Sequence, residues 1–368
     1  MSQPASLYFH IPFCSKKCPY CHFYVLPNRA KDQALLREGL ALEWTLQASL
    51  LQGHTIESIY FGGGTPTLFG AEAIGKVMER CRDLPWAADC EVTVEANPEE
   101  STVKLFAALK AVGVNRISLG VQSLDDRSLI VLERQHSAKK AKEAIEAVHQ
   151  AGISNVSIDL MYDLPSQTEA SWRYTLEQLP SLPIQHLSLY NLTIEPHTSF
   201  HKRRQALTFP TADESLRFLH LGLDALEKAG LERYEISAFA KPGFASRHNL
   251  GYWTFRPFLG FGPSAFSYWA GERFQNVCHL GRYVEALTEG HPPVDYREKL
   301  PYPANLKERL AVQLRLKQGV GLPANLPEET TAAIASLQEQ GLVEQKKSLL
   351  RLTERGTLFY DTIASELI

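Results

Sequence analysis

The chain has 368 residues, of which 44% are hydrophobic and 21% are charged, and its formal net charge at pH 7 is −3. This composition is typical of an ordinary soluble protein with one large domain and a smaller one. The absence of a long basic run argues against nucleic-acid binding. No apolar run is long enough to span a bilayer, and no signal peptide is recognisable, so we expect a cytoplasmic protein with reduced cysteines.

Between residue 6 and about residue 237, short β-branched runs alternate about six times with longer amphipathic runs. The longer runs have helical spacing, as in Leu36, Leu40 and Trp44. This alternation implies parallel strands joined by right-handed crossovers, either in an open doubly wound sheet or in a barrel. The strand candidates are Ser6–Ile11, Ile56–Phe61, Glu91–Glu95, Asn115–Gly120, Asn155–Met161, His186–Tyr190 and Arg233–Ile236.

The candidate polar residues separate these two architectures, because each falls at the carboxyl end of its strand. A barrel gathers those ends around one mouth, whereas an open sheet spreads them along an edge. We therefore predict an α/β fold built on a partial (β/α)6 barrel of the TIM type over residues 1–237. The polar positions are Cys14–Cys21, Gly62–Pro66, Glu95, Gln122, Asp159 and Tyr190–Asn191.

The pattern changes in the last third of the chain. Residues 238–300 include Lys241–Tyr268, which is rich in Gly, Pro and aromatic residues and which we interpret as a covering segment rather than another strand–helix unit. Residues 301–368 show helical runs at 303–318 and 328–340, a strand pair near Lys346–Leu352 and a last helix from Thr353. This order predicts a winged-helix-like α+β module. Its mixed charges favour a lid or docking role over DNA binding.

Three cysteines lie close together in the run Cys14-Ser-Lys-Lys-Cys18-Pro-Tyr-Cys21. Thiolates at this density indicate a soft metal site. A closed zinc or iron–sulfur site usually uses four protein ligands, whereas three leave one metal position open for a small molecule. A Cys₃His zinc knuckle with His10 or His22 as fourth ligand is the alternative on spacing alone. The other cysteines, expected to be core or incidental, are Cys81, Cys90 and Cys278.

Four further polar residues suit a ligand that carries an ammonium group, a carboxylate and a ribose. Glu95 is able to pair with the ammonium group, and the planar guanidinium of Arg134 is able to bind the carboxylate. Asp159 is able to accept from ribose hydroxyls, and Gln122 lies beside them. The glycines of Gly62–Pro66 leave room for a ligand against exposed backbone amides, unless they form a plain turn. Taken singly, each is better explained as an ordinary barrel-mouth or surface polar group. Arg134 is the weakest candidate, because its neighbours look exposed.

The spacing Cys-x₃-Cys-x₂-Cys followed by Gly-Gly-Gly-Thr-Pro resembles the radical S-adenosylmethionine superfamily. The resemblance implies a [4Fe–4S] cluster bound by Cys14, Cys18 and Cys21, with the amino and carboxylate groups of S-adenosylmethionine on the fourth iron. It further implies one-electron cleavage of the sulfonium to a 5′-deoxyadenosyl radical. Such chemistry requires an enclosed, water-poor site, which a barrel provides.

Further motifs narrow the resemblance to the oxygen-independent coproporphyrinogen III oxidase group, over nearly the whole chain. They are Tyr8-Phe-His10-Ile-Pro12-Phe-Cys14, Val-Glu95-Ala-Asn-Pro98, Gly120-Val-Gln122-Ser123 and Asp159-Leu-Met-Tyr. Within that group the chain is similar to the haem-chaperone branch rather than to the oxidase. Phe23 stands where the oxidase has a further cysteine, and the chain lacks the oxidase's long N-terminal extension.

The run His248-Asn249-Leu-Gly-Tyr252-Trp253 is similar to a motif of the haem-chaperone branch. The resemblance implies that His248 is an axial ligand of haem. Imidazole is a common haem ligand, and the rings of Tyr252 and Trp253 are suited to pack against a flat macrocycle. The alternative is a structural histidine buried by the neighbouring aromatic residues.

The resemblance also assigns cofactor contacts position by position. One S-adenosylmethionine site matches Tyr8, Gly63 and Glu95, and a second matches Tyr20, Gly64, Thr65, Gln122, Arg134, Asp159 and, through its backbone, Thr193. Two departures concern the second site. Asp163-Leu-Pro-Ser166 stands where the group has Gly-Leu-Pro-Gly, and Ala238 replaces the usual Asn after Tyr-Glu-Ile-Ser.

Taken together, the resemblance implies a haem chaperone that binds a [4Fe–4S] cluster, S-adenosylmethionine and haem and delivers haem to an acceptor protein. It implies peripheral membrane contact during delivery and no nucleic-acid partner. The alternative is an oxygen-independent coproporphyrinogen III dehydrogenase, which oxidatively decarboxylates porphyrinogen propionates in porphyrin biosynthesis. A zinc-binding structural protein is the third hypothesis.

Overall fold

A computed structural model of the protein describes residues 2–368. Strands and helices alternate in its first two thirds, as the sequence predicts. In chain order they are β1 (Gln3–Ile11), β2 (Phe13–Cys14), β3 (Leu26–Pro27), α1 (Ala30–Gln47), β4 (His54–Gly63), α2 (Ala71–Cys81), β5 (Trp86–Ala96), α3 (Val103–Ala111), β6 (Arg116–Gln122), α4 (Asp126–Val131), α5 (Ala138–Gln150), β7 (Asn155–Tyr162), α6 (Glu169–Leu176), β8 (His186–Asn191), α7 (Ser199–Lys202), α8 (Ala212–Lys228) and β9 (Glu232–Arg233).

The remaining third contains short strands and helices in two groups. The first group is β10 (Ala238–Ala240), α9 (Arg247–Trp253), β11 (Phe258–Phe261), β12 (Phe266–Trp269), β13 (Glu272–Asn276), α10 (Leu280–Thr288) and β14 (Val294–Glu298). The second group is α11 (Ala304–Gln313), β15 (Val320–Gly321), α12 (Glu328–Glu339), β16 (Val343–Lys346), β17 (Leu349–Leu352), α13 (Glu354–Leu358) and α14 (Tyr360–Leu367).

Six parallel strands form the centre of the molecule, in the order β1, β4, β5, β6, β7, β8. The outer strands pair away from each other, β1 with β11 and β8 with β10, so the six form an open arc rather than a closed ring. Residues from the carboxyl ends of β4, β5, β6, β7 and β8 nevertheless line one cavity, together with the cysteine loop that follows β1. The predicted α/β fold with a partial (β/α)6 barrel is confirmed.

Side chains along these strands alternate between two environments, as the period-two geometry of a strand requires. The outward set is apolar and packs under the helices. For example, the rings of Phe61 and Phe261 each lie 5.1 Å from that of Phe9, and Trp44 of α1 covers Phe261 at 5.4 Å. The inward set is polar or aromatic and includes Tyr8, Tyr60, Glu95, Ser118, Asp159 and Tyr190. The barrel interior is therefore a polar cavity rather than a packed core.

The prediction that Lys241–Tyr268 only covers the barrel is wrong. β11 lies within this segment and pairs in parallel with β1, with Phe261 opposite Phe9. β12, β13 and β14 then extend the sheet as antiparallel neighbours. The strand predicted at Arg233–Ile236 is also shifted in position. The observed strand is the two-residue β9, which is antiparallel to β10. The first error has a physical cause, because the four-residue β11 becomes stable only through β1, a partner that is distant in sequence.

The C-terminal residues have a small hydrophobic core of their own, which includes Leu310, Leu314, Ile334, Leu337 and Leu350. Two helices, a β16–β17 hairpin and the last helices follow in the predicted winged-helix-like order. This module contacts the barrel through Arg315, which donates to Glu235 at 3.3 Å and lies over the ring of Trp253 at 4.4 Å. Among the helices of residues 2–368, none has the length and apolar character needed to cross a membrane.

Candidate active site

The three clustered cysteines line a cavity of about 440 Å³ at the mouth of the barrel. All three thiols are free and partly buried. The Sγ atom of Cys14 lies 3.7 Å from Oγ1 of Thr65, and the Sγ atom of Cys18 accepts a hydrogen bond from Nη1 of Arg134 at 3.3 Å. None of the other three cysteines lines this cavity in the described part of the chain. The cysteine loop therefore brings all three thiols to one cavity.

Two of the three thiol groups have raised pKa values. Burial raises the pKa of the Cys14 thiol to about 11, and burial likewise raises the pKa of Cys21. Within residues 2–368, no three His, Cys, Asp or Glu side chains stand close enough together to hold a metal ion as they lie. Because thiolates bind metals and thiols do not, metal binding would both release the protons and turn the sulfur atoms toward a common point.

The glycine segment packs against the cysteine loop. A Cβ atom on Gly64 would lie 2.5 Å from the carbonyl oxygen of Phe13, so only glycine allows this approach. The amide of Gly64 donates to Ile11 at 2.9 Å, and that of Thr65 donates to Phe13 at 2.7 Å. The amide of Gly63 donates to Glu95. The expectation that these amides are exposed to a ligand is therefore wrong, because the protein already uses all three.

Two carboxyl groups, those of Glu95 and Asp159, lie on the cavity wall. Glu95 accepts a hydrogen bond from the hydroxyl of Tyr60 at 2.8 Å and one from the amide of Gly63 at 3.1 Å. Burial, reinforced by the nearby Asp159, raises the pKa of Glu95 to about 7. Burial also raises the pKa of Asp159 to about 6, against the opposing effects of Ser188 and two arginines. Carboxylates held in this way favour a cationic ligand, because a positive charge relieves the cost of their burial.

Arg134 is brought into the cavity, although its sequence neighbours suggested an exposed position. Its Nη2 donates to Oδ1 of Asn97 at 2.6 Å and to the carbonyl of Gly120 at 2.8 Å, while Nη1 reaches Cys18. The remaining donor, Nε, is buried and finds no partner among residues 2–368. Gln122, which ends β6 with a φ of 65°, lines the same wall. Strained backbone of this kind is concentrated at functional sites.

A second cavity, of about 740 Å³, adjoins the first. It shares His22, Phe23, Glu95 and Tyr190 with the cysteine cavity. Its wall is mainly aromatic and includes Tyr8, Tyr60, Tyr252, Trp253, Phe255, Phe258, Phe266 and Tyr268. The C-terminal module completes this wall with Glu308 and Val312. We call it the aromatic cavity.

His248 lines the aromatic cavity from a buried position in α9. Its Nδ1 is 2.9 Å from the hydroxyl of Ser58, and its Nε2 is 2.7 Å from the hydroxyl of Tyr252. The ring stacks on that of Tyr60, with 4.8 Å between centroids, and its amide donates to Glu91. Burial lowers the pKa of His248 well below its ordinary value, so the imidazole is neutral. Neutral imidazole suits iron, but ligation requires Tyr252 to release Nε2.

The structure brings together most of the residues that the sequence singled out. The cysteine cavity is lined by Cys14, Cys18, Cys21, Tyr20, Gly63, Gly64, Glu95, Gln122, Arg134, Asp159 and Thr193. Tyr8 and His248 line the aromatic cavity instead, and Thr65 lines neither, because it is buried behind Cys14. Sequence reasoning gave no role to Asn97, which bonds both Thr65 and Arg134. Asn97 lies in the Val-Glu-Ala-Asn-Pro motif, and this position was the feature of the sequence that could have indicated its role.

One of the two departures near the second cofactor site, Asp163-Leu-Pro-Ser166, has a backbone explanation. Asp163 and Ser166 have φ values of 61° and 60°, in the left-handed region that glycine occupies most readily. Asp163 compensates with side-chain hydrogen bonds from Asn191, at 2.5 Å, and from Ser215. Ser166 is exposed, and its backbone amide donates to Thr208 at 2.7 Å. The loop thus keeps a glycine-type conformation without glycine.

Comparison with known proteins agrees with this architecture. Residues 8–179 match the Radical SAM superfamily, and residues 302–359 match the HemN C-terminal domain. The chain is 34% identical to the heme chaperone HemW of Mycobacterium tuberculosis, over 100% of this chain and 95% of that protein. It is 32% identical to the heme chaperone HemW of Bacillus subtilis, over 96% of each. The structure of coproporphyrinogen III oxidase (HemN) from Escherichia coli has the same fold, with a TM-score of 0.87 at 24% identity, covering 100% of this chain and 90% of that one.

A three-cysteine loop, a partial barrel and a HemN-type C-terminal domain define a radical SAM protein, a class that implies a [4Fe–4S] cluster and S-adenosylmethionine. The sequence identity to the two heme chaperones, 34% and 32% over nearly the whole chain, shows the family within this class. The chain belongs to the HemW family.

Proposed function

We propose that the protein is a haem chaperone, which holds haem in the aromatic cavity and passes it to an acceptor protein. The observation that carries the proposal is the position of this cavity, which shares a wall with the cysteine cavity and contains the His248–Trp253 motif. The curated relatives from two bacteria are named heme chaperones, which supports the same role. Haem is accordingly the cargo, and the cluster and S-adenosylmethionine are resident cofactors.

The cysteine cavity fits these resident cofactors in its donor chemistry. Cys14, Cys18 and Cys21 would hold the cluster, and three ligands leave one iron for the methionine group of S-adenosylmethionine. Glu95 and Asp159 would offset the positive charge of the cofactor, and the unpartnered Nε of Arg134 offers a donor to its carboxylate. The cluster supplies one-electron chemistry when bound. The protein's own part is to orient both groups and to exclude water from them.

The aromatic cavity, at about 740 Å³, lies in the size range of cofactor sites, and its wall chemistry suits a porphyrin. Flat apolar rings favour a flat macrocycle. Two buried polar atoms of the cavity residues, Nε1 of Trp253 and Nη1 of Arg256, have no hydrogen-bond partner in residues 2–368. Donors of this kind suit the propionate groups of haem. His248, the axial ligand that the motif predicts, would reach the iron only in a conformation in which Tyr252 has released Nε2.

The test separates this proposal from the decarboxylase alternative. Protein reconstituted without oxygen is supplied with S-adenosylmethionine, a reductant and coproporphyrinogen III, and the products are separated by chromatography. We expect no decarboxylation, because Phe23 stands between the two cavities where the oxidase has a cysteine. The same preparation should bind haem stoichiometrically and lose it to an apo-haemoprotein. Robust decarboxylation, or failure to bind haem, would contradict the proposed function.

A further inference from the structure

Three imidazole groups line the aromatic cavity, and they differ in whether a ring nitrogen is available. His10 is buried, with Nδ1 at 3.0 Å from the hydroxyl of Tyr8 and Nε2 at 3.3 Å from the carbonyl of Tyr24. His248 is buried as well, and both of its nitrogens are bonded. A haem iron therefore meets an occupied nitrogen at either residue unless a hydrogen bond breaks.

The third imidazole, that of His22, is free. Its side chain is exposed and makes no hydrogen bond to any residue between 2 and 368, while its ring lies 4.7 Å from that of Phe23. His22 lines both the aromatic cavity and the cysteine cavity, because it directly follows Cys21. No rearrangement of hydrogen bonds is needed before its nitrogen binds iron.

We propose that His22 is a haem ligand of this protein, the one that takes the iron while His248 is still bonded to Ser58 and Tyr252. The inference rests on the haem-binding part of the proposed function. It places the haem iron at the wall shared with the cysteine cavity, next to a cluster ligand. A bond between the exposed His22 imidazole and the iron is also easily reversed, because solvent and a ligand of the acceptor protein both reach the iron. A carrier that passes haem on requires this reversibility.

The experiment compares haem binding by the wild type and three single variants, all reconstituted with iron and sulfide. The changes are His22→Ala, His248→Ala and His54→Ala. His54 serves as the matched control, because its ring packs on Trp269 and does not line the aromatic cavity. Haemin is titrated into each protein, and affinity and absorption spectrum are recorded.

We expect His22→Ala to weaken haem affinity at least about tenfold and to remove the spectrum of an imidazole-ligated haem. Added imidazole should restore that spectrum, which a purely structural role would not allow. The control variant His54→Ala should keep both the haem affinity and the spectrum of the wild type. The His22→Ala variant must also keep the cluster iron content of the wild type. Loss of this iron would assign His22 to the cluster and overturn the inference.

The other outcomes are equally decisive. Wild-type affinity and spectrum in His22→Ala would refute the assignment, as would loss of the imidazole spectrum in His248→Ala alone. A wild-type protein that binds no haem would instead contradict the proposed function itself. The failure of the ligand assignment and the failure of the chaperone function are thus distinguishable.

Discussion

The paired carboxyl groups of Glu95 and Asp159 predict that S-adenosylmethionine binds more tightly as the pH rises. Burial raises the pKa of Glu95 to about 7, so its carboxylate is roughly one-tenth ionised near pH 6 and roughly nine-tenths ionised near pH 8. A raised pKa means that the charged form, which attracts the cation, is lost as the pH falls through this range. Glu95 alone therefore implies about a tenfold loss of affinity between pH 8 and pH 6. Asp159, with a pKa of about 6, adds to the loss at the acidic end.

The perturbation that isolates Glu95 is Glu95→Gln, which removes the charge but retains an oxygen able to accept from Tyr60. Loss of a charge-assisted interaction costs about 1.5–3 kcal/mol, so we expect roughly ten- to hundredfold weaker binding near pH 8. In Glu95→Gln, the affinity for S-adenosylmethionine should change little with pH. Glu100→Gln is the matched control, because burial also raises the pKa of Glu100 to about 7 although Glu100 does not line the cavity.

The measurement is anaerobic calorimetry of S-adenosylmethionine binding to the three reconstituted proteins at about pH 6, 7 and 8. Iron content is determined on the same samples, so that loss of the cluster is not mistaken for loss of the cofactor contact. An affinity of the wild type that does not change with pH would refute the reasoning. Equal losses in Glu95→Gln and Glu100→Gln would refute it too, because the effect would then not depend on the cavity.

Three further predictions follow from individual contacts. Cys21→Ser should abolish cluster iron on anaerobic reconstitution while Cys278→Ser leaves it unchanged, as measured by iron analysis; a requirement for Cys278 would contradict the assigned ligand set. Asp159→Ala should weaken S-adenosylmethionine binding roughly ten- to hundredfold with the iron content intact, and an unchanged dissociation constant would make Asp159 structural. Ser166→Gly should raise the free energy of unfolding in urea by roughly 0.5–1 kcal/mol, because Ser166 is exposed in a left-handed conformation, and a loss of stability would show that the Ser166 hydroxyl matters more than the strain.

The resemblance to a radical SAM protein could be recognised from local features alone. The cysteine motif and the glycine run are each a short continuous segment of the chain, so both can be recognised without a structure. Strand–helix alternation predicted the parallel strands, and the polar residues at their carboxyl ends predicted the barrel. Because the carboxyl ends of barrel strands meet at one mouth, Cys14, Glu95 and Asp159 were expected at one cavity although they are distant in sequence, and all three line it.

Other features depended on contacts between residues far apart in sequence. Arg134 looked exposed because its neighbours are polar, yet the turn after α4 carries its guanidinium to Cys18, more than a hundred residues away. His248 is paired with Ser58 across 190 residues, which decides that its nitrogens are occupied. The strand β11 forms only because β1 offers an edge. The sequence by itself determined which chemical groups the site contains, through the spacing of its motifs. Only the tertiary structure decided which of these groups are free to bind a ligand, because hydrogen-bond partners depend on proximity in space and not in sequence.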